Sequence, residues 1–293
     1  MLKIYWIKIT TWLGTLLSML VYNFHKKVEG VKTKKNIKYK EHANFLQKFD
    51  VHYTLDEKTK PIIIYFHGGG WTSYTKHIFT TLTRRLASMG YVVFNCNYNL
   101  APKYKIEDIL SDSLFAIKKA RHIAKEFNGD PDKIILAGDS AGAHISSLIM
   151  LKSMQDGRFK VLRNSIKALI LLYGVFDLES ALSSGFPGIK TYIDAAVSGG
   201  IQNKIEMQKN SPMLHNLSGF PPCLLASGEI DKLHKSQSKV FYEKLKESNV
   251  NAQKIFFDKN EFKALHSYMI VDGISTNIKT LSKIKNFLME VCE

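Results

Sequence analysis

The sequence predicts an α/β protein with a mostly parallel central sheet and helices on both faces. Three observations predict it. Short apolar runs such as Ile62-Ile63-Ile64-Tyr65-Phe66 lack the alternation of a half-exposed strand and read as strands buried on both faces. Helix-length segments separate these runs, and strands joined through helices lie parallel in one sheet. The run Ile134-Ile135-Leu136-Ala137 passes straight into Gly138-Asp139-Ser140-Ala141-Gly142, after which residues 141–154 read as a helix: strand, sharp turn, helix. At 293 residues the chain can bury a substantial core as one domain carrying a small cap.

Taken in order, residues 1–48 fall outside that domain. Residues 9–24 carry no charge and are preceded by Lys3 and Lys8 and followed by His25, Lys26 and Lys27. Their apolar members Ile9, Trp12, Leu13, Leu16, Leu17, Leu20, Val21 and Phe24 recur at helical spacing, with Thr11, Thr15 and Ser18 on the other side. As a helix the segment is about 24 Å long, short of the roughly 30 Å hydrocarbon core. No small-x-small cleavage site follows it, which argues against a removed signal peptide. The readings are a membrane anchor, a helix lying on the membrane surface, or a cap helix over a site, so the chain is either cytoplasmic or membrane-associated through this segment. Residues 28–40 are lysine-rich and read as a solvated linker.

The domain proper is expected over residues 49–293. Phe49, Val51, Tyr53 and Leu55 alternate with polar residues as in a half-exposed strand, and residues 56–61 turn the chain. Strands are then expected at 62–66, 91–95, 133–137, 166–172, 222–227 and 252–258, with helices near 76–89, 107–127, 141–154, 235–247 and 275–290. A long insertion at about 174–217 contains Phe186-Pro187-Gly188 and the apolar Ile193, Ala195, Ala196 and Val197. A segment of that length in that place is a disordered loop or a cap.

Composition narrows the partners. Hydrophobic residues at 45% and charged residues at 23% are ordinary for a globular chain, but the net charge of +15 is not. Only 5 of the 41 basic residues are arginine and the lysines are scattered, which describes a solvated surface and not a nucleic-acid interface. Cys96, Cys223 and Cys292 lie far apart without metal-ligand spacing; Cys223 falls in an expected strand and Cys96 directly follows another, where a reduced core thiol is the simplest reading.

The chemistry concentrates at two places. In Gly138-Asp139-Ser140-Ala141-Gly142 a tight strand-to-helix turn lifts the Ser140 hydroxyl clear of the sheet, beside an unpaired N–H and the partial positive charge of a helix N-terminus. A bare Gly-x-Ser-x-Gly also occurs in ordinary loops. His67-Gly68-Gly69-Gly70-Trp71 follows a strand directly, and three consecutive glycines expose successive backbone N–H groups, as an oxyanion site requires. The competing reading is a flexible turn, but the run sits at a strand's carboxyl end, where chemistry gathers in such sheets and where Ser140 is also expected.

Together these motifs resemble the hormone-sensitive-lipase-like branch of the α/β-hydrolases, which includes bacterial carboxylesterases and arylacetamide deacetylases. Tyr98-Asn99-Leu100-Ala101-Pro102, Asp130-Pro131-Asp132-Lys133-Ile134, Ser211-Pro212, Phe220-Pro221-Pro222 and Gly228-Glu229-Ile230-Asp231 are similar to further segments of that branch, so the resemblance spans about residues 49–290. It implies an α/β-hydrolase fold in which the insertion is a cap lining the acyl pocket, and it places the catalytic acid at Asp231. Read alone, Asp231 is better explained as a helix cap before residues 235–247. Where the family usually has a second acid three positions on, this chain has His234. After Asp231 only His234 and His266 can serve as base; His234 is too close in sequence, and His266 follows the last strand in the loop where the family places its base. The order Ser140, Asp231, His266 is that of α/β-hydrolases generally. The resemblance further implies an oxyanion hole from the N–H groups of Gly69, Gly70 and Ala141. Asp139 reads as a turn or surface residue, His67 as a structural residue orienting the glycine loop, and His144 as an ordinary core histidine.

The expected function is a serine carboxylic-ester hydrolase acting on small to medium acyl esters, with no metal or organic cofactor. Alternatives are an amidase of the arylacetamide-deacetylase or kynurenine-formamidase kind, a non-catalytic small-molecule receptor on the same fold, and a membrane-docked scaffold. The sequence is silent on oligomeric state and on the physiological substrate.

Overall fold

The structure, a computed structural model, describes residues 26–292. The stretch 9–24, with its anchor, interfacial and cap-helix readings, lies outside the described residues. Among the described residues, eight strands form one sheet in the order β1-β2-β4-β3-β5-β6-β7-β8. They are β1 (Val31–Lys38), β2 (Lys48–Thr54), β3 (Lys60–Phe66), β4 (Val92–Cys96), β5 (Gly129–Asp139), β6 (Ile166–Leu172), β7 (Cys223–Gly228) and β8 (Ala252–Phe257). From β4 to β8 every neighbouring pair is parallel, while β1 and β2 pair antiparallel at one edge. Ile62, Ile63, Ile64, Tyr65 and Phe66 are fully buried, as an apolar central strand covered on both faces must be.

The helices are α1 (Thr80–Ala87), α2 (Ile106–Ile123), α3 (Ala141–Gln155), α4 (Lys160–Ser165), α5 (Leu178–Leu182), α6 (Ile189–Ala196), α7 (Lys204–Lys209), α8 (Lys239–Glu247) and α9 (Ser275–Cys292). One face of the sheet packs α2 and α3 through Ile109, Ile117, Ile145 and Leu148, and the other packs α1 and α9 through Leu82, Leu86, Ile284 and Phe287. No helix among the described residues is long and apolar enough to cross a membrane.

Residues 28–40 correct the expectation of a linker. Residues 31–38 form edge strand β1, in register with β2 from Val31 opposite Thr54 to Lys38 opposite Lys48, with an irregularity between Lys34 and Ile37. Lysines along an edge strand keep it in water and discourage pairing with another sheet, so a strand of this kind has a linker's composition. A buried ion pair pins it: Lys76 Nζ donates to Asp50 Oδ1 at 2.7 Å and to Asn36 Oδ1 at 2.9 Å, and the Asn36 N–H donates to the same Asp50 oxygen.

The insertion between β6 and β7 carries the short helices α5, α6 and α7 joined by tight turns. Ile193, Ala196, Val197 and Met207 are buried, which fixes the segment against the main body.

Candidate active site

Strand β5 delivers Ser140 at the carboxyl edge of the sheet. Its backbone is strained, with φ +51°, and is held by the Ser140 N–H donating to the Leu172 carbonyl at 2.8 Å. The flanking glycines are required sterically: a Cβ on Gly142 would meet the Phe66 carbonyl, and one on Gly138 would meet the carbonyl of Gly142. The helix that follows, α3, begins at Ala141.

Three residues far apart in sequence meet here. His266 Nε2 lies 2.9 Å from Ser140 Oγ, and His266 Nδ1 lies 2.7 Å from Asp231 Oδ2. With Asp231 ionised, Nδ1 carries the proton and donates to it, leaving Nε2 to accept from the serine hydroxyl. The second carboxylate oxygen of Asp231 accepts from the Leu233 N–H at 3.0 Å, so the turn-capping role and the histidine contact coexist, one per oxygen. Aromatic rings flank the His266 imidazole: Tyr173, at the end of β6, at 5.0 Å, and Phe186, from the insertion, at 4.6 Å, both edge-on. His234 is not part of this group. Its Nδ1 pairs with Ser227 Oγ at 2.6 Å, its ring meets the Phe256 ring, and burial lowers its pKa.

Gly69, Gly70 and Ala141 surround, with Ser140 and His266, a cavity of about 80 Å³. The glycine loop is held from beneath. Tyr98 donates its hydroxyl to the His67 carbonyl at 2.6 Å, and Asp139 Oδ1 accepts from the Gly68 N–H at 2.8 Å and from the Tyr65 hydroxyl at 2.9 Å. This corrects the reading of Asp139 as a turn or surface residue. Its carboxyl is buried behind the loop, and desolvation raises its pKa to about 7 against the hydrogen bonds that favour the ionised form. The single clue in sequence was an acid next to a serine at the carboxyl end of a buried strand.

His67 is buried, stacked on Tyr98 with centroids 4.4 Å apart, and burial lowers its pKa to about 4. His144 lies on α3 between the glycine loop and the insertion. Its Nδ1 accepts from Trp71 Nε1 at 3.2 Å and its Nε2 donates to the Asn210 carbonyl at 2.7 Å, a fully paired neutral ring whose pKa burial lowers to about 4. Cys96 and Cys223 are free buried thiols. Among the described residues no group of three or more His, Cys, Asp or Glu side chains could hold a metal ion.

Comparison with known proteins agrees with the fold. A family model described as alpha/beta hydrolase fold matches residues 63–266. Among curated proteins, the chain is 28% identical to esterase LipQ of Mycobacterium tuberculosis over 197 residues, covering 64% of this chain and 46% of LipQ. It is also 28% identical to esterase LipC of the same organism over 215 residues, covering 68% of this chain and 52% of LipC. The chain thus spans about half the length of the curated relatives it matches. Among solved structures, esterase B from Lactobacillus rhamnosis superposes with a TM-score of 0.83 at 20% identity, covering 97% of this chain and 96% of that one. A hyperthermophilic esterase from Pyrobaculum calidifontis gives 0.76 at 19% identity, covering 97% and 90%. At such identities the likeness is one of fold.

Proposed function

From the premise that this chain belongs to the α/β-hydrolase-fold family, whose model spans most of it, we propose that it is a serine carboxylic-ester hydrolase. The observation that carries the reading is the continuous chain from Ser140 through His266 to Asp231, lying beside a glycine loop at the carboxyl edge of a parallel sheet. In the proposed cycle Ser140 Oγ attacks the ester carbonyl while His266 Nε2 takes its proton. The developing oxyanion is met by the N–H groups of Gly69, Gly70 and Ala141. His266 returns the proton to the leaving alkoxide, then activates the water that hydrolyses the acyl-enzyme. Asp231 fixes the imidazole tautomer and stabilises imidazolium throughout. The insertion acts as a cap over the acyl pocket.

The relatives are named as esterases, which supports ester over amide cleavage, although both reactions pass through a tetrahedral intermediate. A receptor on the same fold has no need of the full Ser140-His266-Asp231 chain. The test is to treat the protein with a fluorophosphonate, map the adduct by mass spectrometry, and assay Ser140→Ala on p-nitrophenyl esters. Labelling at Ser140 with activity abolished in the variant is expected; a label elsewhere, or undiminished turnover, overturns the mechanism.

A further inference from the structure

We propose that Tyr192, carried by the insertion, is the wall that limits the acyl space at Ser140 and restricts the protein to esters of short acyl groups, acetyl to butyryl; this rests on the serine-hydrolase reading above. Helix α6 buries Ile189, Ile193 and Ala196, at helical positions i, i+4 and i+7, against the main body. Tyr192, between them in sequence, lines the cavity beside Ser140, Gly69 and Gly70.

The ring has glycine backbone on two sides. A Cβ built on Gly70 would stand 2.7 Å from Tyr192 Cγ and no more than 3.0 Å from either Cδ, closer than real side chains approach. Gly70 also has φ +58°, where a side chain is strained in any case. A Cβ on Gly188 would stand 3.1 Å from Tyr192 Cε2. The Tyr192 N–H donates to the Gly188 carbonyl at 3.0 Å, so the helix carrying the ring starts from the glycine it packs on. The ring therefore lies against the proposed oxyanion loop with no room to retreat toward either glycine. Fixed there, it leaves about 80 Å³ at the serine, several-fold less than the ~300 Å³ at the lower end of drug-sized ligand sites. A long acyl chain must displace this ring from its place against Gly70, either by turning the partly buried side chain outward or by moving α6.

Ile189, Phe186, Leu233, Val175 and Trp71 add to the apolar lining, so the space suits alkyl groups and disfavours charged acyl groups. The three atoms nearest to a Cβ at Gly70 all belong to Tyr192, and that contact makes the tyrosine the decisive wall.

The experiment measures kcat/KM on the full-length protein for p-nitrophenyl acetate, butyrate and octanoate, in wild type, Tyr192→Ala and Tyr192→Leu, with fluorophosphonate labelling of Ser140 run alongside. Wild type is expected to favour acetate or butyrate over octanoate by tenfold or more. Both variants should reduce that ratio at least tenfold, chiefly through a lower KM for octanoate, while Ser140 still labels. A wild type that prefers octanoate, or variants that label normally and keep the wild-type ratio, overturns the assignment of Tyr192 and leaves the serine mechanism standing. Absence of labelling in wild type overturns both. Should the alanine variant fail to fold, Tyr192→Leu and the wild-type profile carry the same decision.

Discussion

On the sheet side of the cavity, Ser140 and the glycine loop are held by backbone geometry at strand ends: a strained turn, glycines that admit a neighbouring carbonyl, and N–H groups tied to Leu172 and Asp139. On the insertion side, Tyr192 is held by the packing of one short helix and by contact with glycines already in place, and Phe186, just before that helix, lies edge-on to His266. The first construction tolerates almost no substitution at Gly69, Gly138 or Gly142, since a single Cβ there would collide with main chain. The second can change its side chains and keep its helix. On the proposed function, chemistry is therefore fixed on one side and substrate choice is open to variation on the other, as expected when loops and insertions on a rigid scaffold carry specificity.

The largest effects should come from the sheet side. Ser140→Ala and His266→Ala are each expected to lower kcat for ester hydrolysis by about 10⁴-fold or more, and the double variant should be little worse than either alone, because groups acting as a unit are not additive. Asp231→Asn should cost about 10³- to 10⁴-fold by favouring the wrong imidazole tautomer. Steady-state kinetics on purified variants decides. If the two single losses multiplied in the double variant, Ser140 and His266 would be acting separately and the contrast between the two sides would lose its basis.

The same contrast explains what could be read from the sequence. The central strands, the turn at Ser140, the glycine loop and the loop carrying His266 were all legible, because a parallel sheet demands apolar runs and a strained turn demands glycine. Residues 166–172 were located to the residue as β6. Strand β1 was not legible, since an exposed edge strand of alternating lysines is chemically a linker until its partner β2 is known. Burial of Asp139 was hidden because its partners, Tyr65 and Gly68, are about 70 positions away in sequence. Phe186 was visible as part of a Phe-Pro-Gly turn, but its place against His266 depends on how the insertion folds back. Tyr192 left no sequence signal at all: a tyrosine on a short helix has no motif, and its partner glycine shows only in three dimensions.

Between these extremes lie the buried titratable groups that join the two sides, and they predict an acid-sensitive fold. His67 and His144 have pKa values near 4 in the folded protein, lowered by burial, against about 6.5 in an unfolded chain. Between pH 6.5 and 4 the unfolded chain binds more protons, so the stability these two confer is present above pH 6.5 and is lost as pH falls through that window. Asp139 has the opposite sign. Its folded pKa, raised to about 7 by desolvation, exceeds the unfolded value, so the folded state takes up the proton first and gains stability as pH falls from 7. Each group contributes at most about 1.4 kcal/mol per pH unit. Urea denaturation at pH 4.5 and 6.5 should show wild type less stable at the lower pH, the drop smaller in His144→Gln and larger in Asp139→Asn. Equal drops in all three proteins would remove these groups as the cause.

The smallest effect sharpens the comparison most, because one ring, that of His266, touches both sides. Tyr173 approaches it from the end of β6 and Phe186 from the insertion, at similar separations. An edge-to-face contact of this kind is worth about 0.5–1.5 kcal/mol. If Phe186 helps to hold the imidazole at its 2.9 Å separation from Ser140 Oγ, Phe186→Ala should lower kcat about three- to tenfold for acetate and octanoate esters alike, with little change in melting temperature because the side chain is only partly buried. Phe186→Tyr, which keeps the ring, should restore most of the loss. If instead Phe186 serves only as a wall, its removal should leave acetate kcat unchanged and lower KM for the longer ester, the pattern expected of Tyr192. A uniform kcat loss rescued by a ring would mean that the insertion also positions the base, and that the division between a fixed chemical side and a variable substrate side runs through His266 itself.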